Sequence, residues 1–194
     1  MLSEDKRIKT KEQLREYLDA ELGRYPMRGR RYIAYFLQIS EGAILRRHTI
    51  LLRKTEYYLN SGRKLRGLWY YARLMRLQNK YCLHFPINCF GKGLSITHVA
   101  PMMMNGEVTV GENFHVSGMS SLAYSDGKHE GVPTVGDNVT LGLGAIVRGN
   151  VTIADGVTIG AGTLVTRSFT EKGVTVAGVP ARIIGGDKPG EAER

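Results

Sequence analysis

The chain has 194 residues, enough to bury a core and to form one or two domains. Its charge is lopsided: residues 1–80 carry 19 Lys and Arg against 8 Asp and Glu, and the remainder carries 8 against 10. No stretch approaches 18 consecutive apolar residues, so a transmembrane helix is not expected. The polar start MLSEDKRIKTKEQ has no apolar segment of the kind a secretory signal needs. Two cysteines, Cys82 and Cys89, lie outside any CxxC pair and indicate a reduced, cytoplasmic protein without a disulfide framework.

Residues 1–80 read as helices. In Ala43–Asn60 the residues Ile44, Leu45, His48, Leu51, Leu52 and Tyr58 fall near helical spacing, with Arg and Lys between them. Lys64–Lys80 repeats the style with Leu65, Leu68, Trp69, Ala72 and Met75. A basic amphipathic helix can lie on a membrane, but such a stripe more often packs on a neighbouring element. The basic half is also compatible with nucleic acid or an anionic cofactor.

From about Pro86 the composition changes to Gly, Val, Ile, Thr and Asn, with turn triplets at GEN (111–113), GDN (136–138) and ADG (154–156). A large aliphatic residue returns every sixth position at Val135, Leu141, Val147, Ile153, Ile159 and Val165. A helix would return every three or four residues and a strand every two. Six residues make one short strand plus a turn, and three such units make one triangular coil of about 18 residues, the geometry of a hexapeptide β-helix. The residue after four of the six inward aliphatics is small, as a tight corner requires: Gly136, Gly142, Ala154, Gly160. The fifth position is small or β-branched, as in Val139, Ala145, Val151, Val157 and Thr163.

The same step appears earlier as Phe90, Ile96 and Met102, and then, after a shift of two, as Val110, Val116 and Leu122. The polar stretch 123–134 interrupts the pattern and reads as an extruded loop. The expected organisation is an α-helical region (1–83), a β-helix (84–184) and a C-terminal tail (185–194), a mainly β protein with a helical start.

The run VGDNVTLGLGAIVRGNVTIADGVTIGAGTLVTRS, followed by VTVAGVPARII, resembles the hexapeptide-repeat acyltransferases. INCFGKGLSITH (87–98) is similar to serine acetyltransferases, and the helical segment ending LRKTEYYLN is similar to members of that group found with surface-polysaccharide genes. The resemblance implies a left-handed parallel β-helix, against the usual right-handed crossover rule. It also implies a homotrimer, with a hexamer as the larger alternative, and acetyl-CoA bound in grooves between subunits.

By this resemblance His98 takes the catalytic histidine's place, a general base for the acceptor hydroxyl. The orienting aspartates of the serine enzymes are absent: Leu83 and Thr97 occupy their positions. In the loop, His129 and, more weakly, Asp126 are the acceptor-side candidates. For acetyl-CoA, Leu143, Gly144, Gly160 and Ala161 sit where small corners would admit the pantetheine arm, and Thr166, Arg167 and Arg182 would meet phosphates.

Three other readings are weaker. His98, His115 and His129 are spaced 17 and 14 apart, without the five-residue pair of γ-class carbonic anhydrases, so no metal is expected. A non-catalytic scaffold would not need His98, and no nucleic-acid motif accompanies the basic half. The leading expectation is O-acetylation of serine, with a sugar or polysaccharide precursor as the alternative acceptor.

Overall fold

Helices form where the sequence supplies caps and apolar faces. The computed structural model describes residues 1–26, 37 and 40–186. Helix α1 (Lys11–Leu22) opens on a capping box, in which the Thr10 hydroxyl accepts from the Gln13 N–H and the Gln13 side chain accepts from the Thr10 N–H. Helix α2 (Glu41–Asn60) is capped by Ser40, and helix α3 (Lys64–Tyr81) ends on Cys82 in a left-handed conformation. Helices α2 and α3 approach closely at Gly67, where a Cβ would meet the Leu59 side chain at 2.4 Å.

The expected stripe of α2 is buried at Ile44, Leu45, His48, Leu51 and Leu52. That of α3 is not. Gly67, Leu74, Leu77 and Gln78 face inward, whereas Leu65, Leu68 and Trp69 are 86 %, 57 % and 53 % exposed. The helix carries apolar residues on both faces, and close packing at Gly67 and Leu74 selects the other one.

A buried ion network fastens the helices to the β region. Arg53 bridges Glu21 of α1 (Nη2 to Oε1, 2.7 Å) and Glu56 of α2 (Nη1 to Oε2, 2.9 Å), and also donates to the carbonyls of Phe90 and Gly91. With Nε on Glu21, all five guanidinium N–H groups have partners. The carboxylates in turn accept the N–H groups of Leu94 and Asn88. Burial pulls the Arg53 pKa down, but the two carboxylates outweigh it and hold the group above its ordinary value. Beside the network, the Tyr25 hydroxyl accepts from the N–H of Ile96 and donates to its carbonyl.

The β region is a three-sided coil of parallel strands. Face I contains β1 (Leu83–His84), β3 (Met102–Met104), β6 (Ser121–Ala123), β9 (Ile146–Arg148) and β12 (Leu164–Val165). Face II contains β4 (Thr109–Val110), β7 (Thr134–Val135) and β10 (Thr152–Ile153). Face III contains β2 (Ser95–Thr97), β5 (His115–Ser117), β8 (Thr140–Leu141), β11 (Thr158–Ile159), β13 (Val174–Ala177) and the antiparallel β14 (Arg182–Gly186). Strand β14 reaches two residues into the expected tail, whose residues 187–194 lie outside the described residues.

Each face stacks one inward column. Met104, Leu122, Val147 and Val165 are in register on face I, Phe90, Val110, Val135 and Ile153 on face II, and Ile96, Val116, Leu141, Ile159 and Val176 on face III. All are buried, as are the fifth-position residues Val139, Ala145, Val151, Val157 and Thr163. One expected detail changes. The two-residue shift falls between Ile96 and Met104, not after Met102, because Met104 stacks on Leu122 while Met102 pairs with Leu83. In the turns, Asn113 and Asn138 adopt left-handed φ of 56° and 57°, a conformation asparagine tolerates.

His48 is fully buried. Gln78 Nε2 donates to the Phe85 carbonyl and to His48 Nε2, so the His48 proton resides on Nδ1, which has no partner among the described residues. Burial, helped by nearby Arg53, pushes the His48 pKa down to about 3. The folded value lies below the unfolded value of about 6.5. The unfolded chain therefore binds the proton first as pH falls. This part of the stability is complete above the unfolded pKa and is lost toward the folded one at up to about 1.4 kcal/mol per pH unit. His48→Met is expected to flatten the stability–pH curve between these limits, measured by urea unfolding across the acid range. An identical slope in wild type and variant would contradict it.

Candidate active site

His98 follows β2 at the edge joining faces III and I. Its φ is 69°, in the left-handed region few non-glycine residues occupy, at the corner where the chain inserts its two extra residues. Below it the same edge turns through Met119, Gly144 and Gly162, at φ of 61°, 67° and 64°. The coils are bonded along this edge, from Gly144 N–H to the Gly118 carbonyl and from Gly162 N–H to the Leu143 carbonyl. Gly118 has to be small, since a Cβ there would lie 2.6 Å from the Cβ of Ala100.

An orienting carboxylate is present, although neither aspartate position supplies one. Glu41 Oε2 lies 3.2 Å from His98 Nδ1, and Glu41 Oε1 accepts from the Val99 N–H. A carboxylate only accepts, so Nδ1 carries the proton and Nε2 presents the lone pair. Glu41 is the first residue of α2, where the helix dipole favours a negative charge. The pair is solvent-accessible, with side chains 65 % and 48 % exposed.

Sequence reasoning missed Glu41 because it lies 57 residues from His98 on another element. It also treated His115 only as a rival metal ligand. His115 stands directly beside Ser95 in the sheet, its Nδ1 3.0 Å from the Ser95 hydroxyl and its Nε2 3.1 Å from the Thr97 hydroxyl. Burial, with Arg24 adding, pulls its pKa below the ordinary histidine value. The one-coil spacing between His98 and His115 was the available signal. An open cleft of about 350 Å³ joins these residues, lined by Arg24, Tyr25, Glu41, Thr97, His98 and His115 among others. Among the described residues, no group of three His, Cys, Asp or Glu is arranged to hold a metal ion.

The other expected residues divide between edges. Leu143, Gly144, Gly160 and Ala161 follow strands of face III and share the edge of His98. Arg182 opens β14, just after the turn that closes this edge, and is exposed. His129, Asp126, Thr166 and Arg167 instead follow strands of face I, at the edge between faces I and II. There the loop closes on itself through a Ser125–Gly131 bridge, its tip a 3-10 turn at Gly127–His129 with an exposed His129. The Arg167 guanidinium lies 5.3 Å from the centre of the Phe169 ring. Within one chain, neither His129 nor Asp126 lines the His98 cleft.

Residues 133–167 match the bacterial transferase hexapeptide (six repeats) family. No curated protein matches the chain by sequence. Among solved structures, serine acetyltransferase from Brucella abortus is 25 % identical and superposes with a TM-score of 0.62, covering 90 % of this chain and 68 % of that one. Its complex with coenzyme A is 26 % identical, at TM-score 0.62 over 90 % of this chain and 67 % of that one. Soybean serine acetyltransferase, at 23 % identity, gives a TM-score of 0.64 over 88 % and 69 %. Helices followed by three parallel faces match the left-handed β-helix of acetyltransferases.

Proposed function

We propose that this chain, a hexapeptide-repeat protein built like the serine acetyltransferases, is an acetyl-CoA-dependent O-acetyltransferase with His98 as general base. The observation that carries this reading is the His98–Glu41 pair on the same edge as the corners Leu143–Gly144 and Gly160–Ala161. Glu41 fixes the tautomer, and Nε2 takes the acceptor's hydroxyl proton as that oxygen attacks the thioester carbonyl. Collapse breaks the carbon–sulfur bond, and the departing thiolate of coenzyme A takes the proton back. Acetyl-CoA fits this edge because Gly144 and Gly162 leave open space at their Cβ positions. Arg182 would serve its phosphates. The relative solved with coenzyme A supports the same co-substrate.

The division of the other residues follows from a homotrimer. The edge of one copy that bears His129, Asp126, Thr166 and Arg167 would meet the His98 edge of the next, completing a cleft between subunits. A hexamer through the helices is the larger alternative to the trimer. The chain works in the cytoplasm, in keeping with its two free cysteines.

Serine is the first acceptor, since a neighbouring fold is a serine acetyltransferase solved with serine. A sugar hydroxyl is the second, favoured by one observation. Glu41 is the sole acid among the described residues lining the cleft, and it is already engaged by His98 and Val99. Within one chain no lining carboxylate is left for an amino group, so an ammonium would depend on Asp126 of the next copy. Thiol release from acetyl-CoA, measured with purified protein against L-serine and a panel of sugars and nucleotide sugars, tests both. Turnover with either class supports the transferase reading and selects the acceptor; acetyl-CoA binding without turnover on any acceptor would leave the scaffold reading.

A further inference from the structure

We propose that the outward face of α3 docks the protein on an anionic lipid bilayer, lying in the plane of its surface. This inference is independent of the reading of the active site. Leu65, Leu68, Trp69 and Ala72 are spaced i, i+3, i+4 and i+7, so they share one helix face, and all four are exposed. The stripe is therefore not core: the helix buries its opposite side at Gly67, Leu74, Leu77 and Gln78.

Arg76 continues the apolar face at i+11, and Arg66, Arg73 and Lys80, seven residues apart, run along its flank. Helix α3 contains no acidic residue. Arg73, Arg76 and Lys80 also join Arg47 of α2 around a groove of about 240 Å³, a ready seat for phosphate headgroups. The Arg73 guanidinium stands 4.5 Å from the centre of the Trp69 ring. An apolar row containing tryptophan, bordered by basic side chains, is the pattern of an interfacial helix. Among the described residues no helix is long and apolar enough to cross a membrane, so contact would be in-plane.

Charge separates this occupant from two others. A second copy docked face to face would bring one row of cations against another. A nucleic acid would satisfy the cations but leave the leucines and Trp69 without an apolar partner.

Trp69 is the only tryptophan of the chain, so its fluorescence reports this face alone. The test mixes the full chain with phosphatidylglycerol–phosphatidylcholine vesicles and, separately, with phosphatidylcholine vesicles. The expected result is a blue shift with the anionic vesicles only, quenching by lipids brominated on the acyl chain, and weakening by salt. Leu65→Glu with Leu68→Glu is expected to lower vesicle partitioning at least tenfold. Converting Arg66, Arg73 and Arg76 to Gln is expected to lower it about a hundredfold, at roughly fivefold per charge. These side chains are exposed, apart from a half-buried Arg73, so an unchanged thermal midpoint checks that the variants fold. Three results overturn the proposal: no blue shift with anionic vesicles at low salt, undiminished vesicle binding by the leucine variant, or a wild type that ignores vesicles while the leucine variant falls to a smaller assembly.

Discussion

His98→Ala is expected to lower kcat for acetyl transfer by about 10²- to 10⁴-fold, the range a positioned general base supplies. The KM for acetyl-CoA should stay near the wild-type value, because the imidazole acts on the acceptor hydroxyl. Glu41→Gln should fall between wild type and His98→Ala, at about 10- to 100-fold in kcat. Its amide can still accept from Nδ1–H, but the charge that stabilises the protonated imidazole is gone. Glu41→Asp keeps the charge one methylene shorter and should recover part of the loss. That rescue distinguishes an orienting carboxylate from a helix-capping one, since aspartate serves equally well at a helix start. Steady-state kinetics with saturating acetyl-CoA, on whichever acceptor class turns over, checks all three variants. Near-full activity in His98→Ala would remove His98 from the chemistry.

The sequence made the coil legible where inward residues and corners were both distinctive. From Val135 to Val165 the six-residue step is unbroken, and every predicted column residue is buried. It was ambiguous at Met102–Met104, where Met102 and Met104 are both buried and only the register with Leu122 reveals which one belongs to the column. The stripe of α3 failed for a related reason. Period alone finds an apolar face but does not say which of two faces a neighbour covers. His98 stood out as a candidate from its place in SITH. Glu41 was not, because a helix start reaches a coil corner only through tertiary packing, which no local pattern records. The same limit hid the separation of the loop residues from His98, since three edges of a coil look alike in one dimension.

The tertiary packing that places Glu41 rests on Arg53, and Arg53→Met is expected to destabilise the fold by about 3–5 kcal/mol. The variant removes one cation and leaves Glu21 and Glu56, both nearly inaccessible, without their charge partner. It also strips donors from the carbonyls of Phe90 and Gly91 in the first coil. At roughly 2–4 °C per kcal/mol for a chain of this size, the melting temperature should fall by about 6–20 °C in a thermal scan at neutral pH. Glu21→Gln, which keeps hydrogen-bonding oxygen and volume while removing one negative charge, should cost less. The same network seats α1 and α2 on the strand segment that leads to His98. A partly loosened α2 would therefore carry Glu41 away from the imidazole. Arg53→Met assayed well below its melting point should show reduced kcat while remaining folded, approaching the Glu41→Gln value. An unchanged melting temperature would mean that the buried ions set the geometry without stabilising it, as some buried ion clusters do. A lowered melting temperature with wild-type kcat would mean that coil 1 holds Glu41 in place by itself, through the Val99 N–H.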